Sequence, residues 1–92
     1  MAGREPWFSM TQRELDLVCP QLNGSEWKVY TALASCRSSK TAETPPIGVS
    51  LIERKTGLGR RAVYYSAGRL EELGFVSRRK VGQRIVYGFP EA

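Results

Sequence analysis

The sequence predicts a mainly α-helical domain that ends in a small β-hairpin. Apolar residues recur at helical spacing in several successive segments, and residues 84–89 alternate in the manner of a strand. Glycine and proline residues separate these segments where a helix or strand must end. The chain has 92 residues, the size of one domain. We therefore expect a core of three helices with a two-stranded hairpin, and one extra helix at the N-terminus.

The extra helix is short and lies within residues 1–21. Thr11 and Glu14 have the spacing of a capping box, in which each side chain bonds the other residue's backbone N–H. Pro20 limits this helix at about Cys19. Its apolar side comprises Leu15, Val18 and Cys19. We expect this segment to pack on the rest of the chain or to form a dimer contact.

The next helix is predicted from Ser25 to about Arg37, with Asn23 or Ser25 as its N-cap. It has two apolar stripes on nearly opposite sides, and both must be covered. One stripe comprises Val29, Ala32, Leu33 and Cys36, and the other comprises Trp27, Tyr30 and Ala34. The N-terminal helix is the expected cover for the stripe of Trp27 and Tyr30, either from the same chain or from a partner.

Two further helices follow a Ser/Thr/Pro-rich stretch, residues 37–46, which is predicted to be a surface loop. The first runs from about Val49 to Thr56 and is ended by Gly57. The second runs from about Arg60 to Leu73. Its predicted core side comprises Val63, Ala67 and Leu70, and its predicted outer side comprises Arg61, Tyr64, Tyr65 and Gly68.

The C-terminal stretch predicts the hairpin. Phe75 and Val76 lead into a first strand over residues 77–80, and residues 81–83 can turn the chain. Residues 84–89 return as the second strand. In that strand Ile85, Tyr87 and Phe89 alternate with Arg84, Val86 and Gly88.

The positive charge lies in the C-terminal half. Residues 1–46 hold five Lys/Arg and five Asp/Glu, whereas residues 47–92 hold nine Lys/Arg and four Asp/Glu, which accounts for the net charge of +5. Within residues 54–84 the nine cations are accompanied only by Glu71 and Glu72. A localised excess of this kind is typical of a surface that binds a polyanion.

Several other functions are disfavoured by the composition. The chain has two cysteines and no histidine, which excludes a Cys/His zinc finger and removes the commonest general base. We expect no metal, no cofactor and no enzymatic activity. The start of the chain lacks the apolar stretch of a signal peptide, and no segment is apolar for long enough to span a membrane. A cytoplasmic protein is therefore expected.

The stretch "IGVSLIERKTGLGRRAVYYSAGRLEELGFVSRR" resembles the winged helix-turn-helix family of DNA-binding domains. There a short helix ends in T-G-L-S, an R-R-x-V recognition helix follows, and L-E-E-L-G and a hydrophobic residue precede the wing. In addition, "LNGSEWKVYTALAS" is similar to the first helix of winged domains in phage and plasmid replication initiators and small prokaryotic regulators. The resemblance covers about residues 22–89 and implies a winged domain over residues 22–92. Gly59, Ala67 and Gly68 depart from the family pattern.

The resemblance implies sequence-specific binding to double-stranded DNA by a small regulator of transcription or replication near the nucleoid. The recognition helix would enter the major groove, and two copies, as a homodimer or as paired copies on DNA, would be needed for useful specificity. The implied recognition-helix residues are Arg60, Arg61, Tyr64, Tyr65 and Gly68. The implied wing residues are Arg78, Arg79, Lys80 and Arg84, and Arg54 and Lys55 are candidate backbone contacts. The alternative is a winged-helix module that binds protein partners in a nucleic-acid-associated complex.

Overall fold

The computed structural model of the chain describes residues 10–38 and 40–90. It has the mainly helical architecture with a small hairpin that the sequence predicts. An N-terminal helical segment consists of a π-helical turn, Glu14–Val18, and a 3₁₀ turn, Cys19–Gln21. The elements that follow are α1 (Gly24–Ala34), α2 (Val49–Thr56), α3 (Arg60–Glu72), β1 (Ser77–Val81) and β2 (Arg84–Gly88).

The core lies between the three α-helices and the base of the hairpin. Helix α1 packs against both α2 and α3, and these two helices also pack against each other. Each large apolar side chain buried there stabilises the fold by about 1.5–3 kcal/mol relative to leaving it exposed. The buried side chains include Val29 and Leu33 of α1, Ile52 of α2, Val63, Ala67 and Leu70 of α3, and Val76, Tyr87 and Phe89 from the hairpin and its flanks.

Helix α1 begins with a capping box that fixes its first residue as Gly24. The Glu26 N–H donates to Asn23 Oδ1 at 2.8 Å, and the Asn23 N–H donates to Glu26 Oε1 at 3.1 Å. Asn23 rather than Ser25 is therefore the cap, and the predicted start was one residue late. The helix ends at Ala34, earlier than predicted, because the Cys36 and Arg37 N–H groups bond carbonyls three residues back.

The N-terminal segment confirms the predicted capping box but buries a different side. The Thr11 N–H donates to Glu14 Oε1 at 2.9 Å, and the Glu14 N–H donates to Thr11 Oγ1 at 3.0 Å. Glu14 and Val18 are buried, whereas the predicted core residue Leu15 is 42% exposed and Cys19 is half-buried. Residues 14 and 18 are one turn apart and share the inner side. Glu14 lies on that side because Tyr30 and Arg37 bind its carboxylate, and these partners are distant in the sequence.

The predicted limit at about Cys19 is confirmed for the first helical turn, whose last residue is Val18 and whose C-cap is Cys19. The helical segment continues to Gln21 because a new 3₁₀ turn begins at Cys19. Pro20 stands in the first turn of that helix, where its missing N–H has no partner to lose. The chain then becomes extended at Leu22 before it enters α1.

The stripe of Trp27 and Tyr30 is covered by the same chain. Tyr30 is fully buried, and its hydroxyl donates to Glu14 Oε2. Its ring stacks on Trp27 with centroids 5.9 Å apart and meets Phe89 edge-on at 5.3 Å. Val18 is also fully buried. Val18 and Tyr30 thus belong to packing within one chain, while Trp27 is half-buried and Leu15 stays exposed.

Residues 43–47 pair with β2, so the prediction of a surface loop over 37–46 was wrong for this part. The Thr44 N–H donates to the Tyr87 carbonyl at 2.9 Å, and Ile47 and Ile85 exchange two backbone bonds of 3.0 Å. Pro45 and Pro46 lie between them and interrupt the ladder. We call residues 43–47 the bridging segment. It places β2 in the middle of three backbone segments.

The hairpin is closed by a two-residue loop, residues 82–83. Gly82 has a φ of 64°, which suits the first central position of a type II′ turn. At the other end Gly88 pairs with Ser77, and a Cβ at Gly88 would lie 2.6 Å from the Ser77 hydroxyl oxygen. No helix within residues 10–38 and 40–90 is long and apolar enough to cross a membrane.

Candidate nucleic-acid interface

Helix α3 has a buried side and an exposed side, and this predicted division is confirmed. Val63, Ala67 and Leu70 are at most 1% exposed. On the other side Tyr64 is 48% exposed and Tyr65 is 67% exposed. Arg60 and Arg61 are also exposed at the start of the helix. The exposed side therefore begins with two cations and continues with two aromatic rings.

A shallow groove follows the exposed side toward the C-terminal end of α3. Gly68 lies in this groove, and a Cβ built on it would meet nothing within 4 Å. Packing within the protein therefore does not require a glycine there, although glycine costs roughly 1 kcal/mol of helix stability relative to alanine. The groove is lined by Tyr64, Tyr65, Gly68, Arg69, Glu71 and Glu72.

The N-terminal end of α3 is open to an external acceptor. Its N-cap is Gly59, which has no side chain to accept a bond from the first-turn N–H groups. The helix dipole places partial positive charge at the same end, beside Arg60 and Arg61. Backbone and side chains thus contribute positive potential together.

The register of the hairpin divides its four cations between two faces. Arg78 pairs with Tyr87, and Lys80 pairs with Ile85, whereas Arg79 lies between them in β1 and points the other way. Arg84 pairs with Val81, so it shares the face of Arg79. The predicted wing residues therefore do not form a single surface.

Three of the basic side chains in this region bind carboxylates of the same chain. Arg78 Nε and Nη2 donate to Glu71 Oε1 at 3.0 and 2.8 Å, which links β1 to α3. Arg79 lies 3.7 Å from Glu43. Arg69 Nη1 lies 2.9 Å from Glu72, whose hydrogen bond raises the pKa of this guanidinium. These partners reduce the charge that the three arginines present to the solvent.

Glu71 and Glu43 are partners of the cations that the sequence pattern does not predict. Glu71 is seven residues from Arg78, and Gly74 and the turn around it separate them, so neither helical nor strand spacing pairs them. Glu43 meets Arg79 because the bridging segment pairs with β2.

Six other cations of residues 54–84 are exposed, and in the described part of the chain none has a carboxylate oxygen within 4 Å. They lie on α2, at the start of α3 and in the outer half of the hairpin. They are Arg54, Lys55, Arg60, Arg61, Lys80 and Arg84. We call these six residues the unpaired cations.

Comparison of the chain with protein-family models, curated proteins and solved structures finds no match. The function must therefore be inferred from the site itself.

Proposed function

We propose that this chain binds double-stranded DNA through α3 and the hairpin, in the manner of a winged helix-turn-helix domain. The observation that carries the proposal is the distribution of the unpaired cations. Three of the nine cations in residues 54–84 are engaged by glutamates, and the six that are left are exposed on α2, α3 and the hairpin. Charges that have no internal partner are available to phosphate groups, and this electrostatic contribution supplies most non-specific affinity for DNA.

Helix α3 supplies the groups that would read bases. In helix-turn-helix proteins the N-terminal residues of the second helix meet the base edges of the major groove. Arg61 lies there with no carboxylate oxygen within 4 Å among the described residues, and its planar guanidinium can bond guanine O6 and N7 together. Tyr64 and Tyr65 offer a ring to a thymine methyl group and a hydroxyl to a phosphate. Gly68 leaves room for the sugar-phosphate backbone of the DNA to approach α3 closely.

The hairpin and α2 would supply phosphate contacts. Lys80 lies on the same face of the hairpin as Arg78, and Arg78 reaches α3. Lys80 is therefore the hairpin cation best placed beside the DNA major groove that α3 would occupy. Such contacts fix the register of the protein on the duplex and carry little sequence information. A single small domain makes a limited interface, so we propose two copies on one site, in a regulator of transcription or replication that acts at the nucleoid.

The test is binding of duplex DNA at several salt concentrations, after selection of a preferred site from random duplexes. Arg61→Ala should reduce discrimination at one base pair by about 1–3 kcal/mol. Arg79→Ala should weaken all sequences about equally and lower the salt slope by about 1 or less, because Glu43 partly neutralises it. Lys40→Ala is the matched control for the loss of one positive charge outside the proposed interface. Lys40 lies in a turn near the end of β2 that is opposite to the hairpin loop. If neither arginine variant changes DNA binding, the surface is assigned wrongly.

A second candidate is a module that binds protein partners through the same exposed side of α3. The observation that favours it is the groove itself, which presents two exposed tyrosines and ends at Glu71 and Glu72. Acidic residues there would repel a phosphate backbone but suit a basic peptide. Absence of duplex binding at physiological salt would favour this candidate over DNA.

A further inference from the structure

Two arginines from distant parts of the sequence line one cleft between α2 and the hairpin. Arg54 belongs to α2 and Arg84 begins β2, yet both side chains line the cleft formed by residues 46–48 and the first turns of α2. The fold brings them together because Ile47, just before α2, exchanges two backbone hydrogen bonds with Ile85, the neighbour of Arg84. The pairing of the bridging segment with β2 thus fixes the start of the hairpin's second strand beside α2.

The cleft contains positive charge without a balancing acid. Its lining includes no Asp or Glu, and within the described residues neither guanidinium has a carboxylate oxygen within 4 Å. The hydroxyl of Ser50, which also lines the cleft, has no hydrogen-bond partner in the same part of the chain. Arg69, Arg78 and Arg79, by contrast, each have a glutamate nearby.

We infer that Arg54 and Arg84 bind a single phosphate group of the DNA backbone between them. This inference rests on the proposed function and specifies one contact of it. Two like charges at one cleft repel each other, and a shared anion removes that repulsion. The forked donors of arginine match the oxygen atoms of a phosphodiester, and hydrogen bonds between charged groups are about twice as strong as neutral ones.

A shared phosphate would also fix how α3 lies in the groove. Arg54 belongs to the helix pair and Arg84 to the hairpin, so one phosphate bound to both would place these two parts of the interface on the same DNA strand. Contacts of this kind set orientation on the duplex.

The experiment uses the preferred duplex with one phosphate at a time replaced by a neutral methylphosphonate. At one position this change should weaken binding of the unmodified protein by about tenfold. Arg54→Gln and Arg84→Gln should each lower the penalty at that same position to about threefold, and the double variant should abolish it. Lys28→Gln is the control, because Lys28 is an exposed cation of α1 that lines a different cleft and is not one of the unpaired cations, and it should keep the full penalty.

The outcomes separate this inference from the proposed function. If the two arginine variants lose sensitivity at different phosphates, or at none, the shared site is refuted while DNA binding by the domain stands. If the unmodified protein does not bind the duplex, the proposed function fails and the shared site fails with it. Both variants change exposed side chains, and thermal unfolding within about 0.5 kcal/mol of the unmodified protein verifies that the fold is intact.

Discussion

Replacement of Glu14 by glutamine should destabilise the protein in a manner that depends on pH. The Glu14 side chain is fully buried, and Arg37 binds both of its oxygens, at 2.6 and 2.8 Å. Tyr30 and the Thr11 N–H donate to it as well. Burial alone would raise the pKa of this carboxyl, but the bonds from Arg37, Tyr30 and Thr11 outweigh it and lower the pKa from 4.5 to about 2.

The size of the effect follows from the two pKa values. A carboxyl that titrates at 4.5 when unfolded and at about 2 when folded contributes about 3 kcal/mol to the free energy of unfolding, at 1.36 kcal/mol per pH unit. Because the folded pKa is the lower one, this stability is present above about pH 4.5 and is lost as the pH falls toward 2. In Glu14→Gln the Arg37 side chain, only 9% exposed, also loses the carboxylate that balances its charge, so the loss at pH 7 should be about 3–5 kcal/mol.

The assay is urea unfolding of the unmodified protein and Glu14→Gln between pH 7 and pH 2, extrapolated to water. The difference between the two proteins should shrink by about 3 kcal/mol over the acid half of this range. Asp16→Asn, an exposed carboxylate on the same segment, should change stability by less than about 0.5 kcal/mol. If Glu14→Gln does not fold at pH 7, the double variant with Arg37→Met removes the guanidinium charge that Glu14 balanced. A stability difference that is the same at pH 7 and pH 2 would refute the stabilisation of the Glu14 carboxylate by Arg37, Tyr30 and Thr11.

Two further predictions concern the proposed interface. Gly68→Ala should raise the free energy of unfolding by about 0.5–1 kcal/mol, because its methyl group meets nothing. Its DNA affinity should nevertheless fall, and unchanged affinity in a duplex titration would show that no close approach occurs at that position. Lys80→Gln should reduce the slope of log affinity against log salt by about 0.9. Arg78→Gln should reduce that slope less, because Glu71 already compensates this cation, and equal slopes for the two variants would contradict that pairing.

The parts of the fold that could be predicted are those set by local periodicity and backbone chemistry. The division of α3 follows from the spacing of Val63, Ala67 and Leu70, which needs no knowledge of what packs against them. The end of α2 at Gly57 follows from the left-handed backbone that the residue adopts, with a φ of 75°. The exposed candidates on α3 could be predicted for the same reason.

The parts that could not be predicted depend on partners far away in the sequence. A buried carboxylate is unfavourable unless it is paired, and the partners of Glu14 lie 16 and 23 residues away in Tyr30 and Arg37. The pairing of residues 43–47 was hidden because two prolines remove the alternation that indicates a strand. It forms because the second edge of β2 has backbone groups that require partners once they are buried. The ion pair of Arg78 and Glu71 likewise needs the turn between α3 and β1.

Because β2 lies between β1 and the bridging segment, the three segments have two outer edges, and a strand from another chain could pair at either edge. On the outer side of the bridging segment, Pro45 and Pro46 have no N–H to offer to an incoming strand. The outer edge of β1 carries Arg79 and Lys80, whose like charges would be brought together if two copies paired there. Proline on one edge and cations on the other therefore protect the chain from edge-to-edge aggregation. The same basic residues then serve solubility in addition to the DNA contact proposed for them, so variants that neutralise them should self-associate more readily than variants of α3.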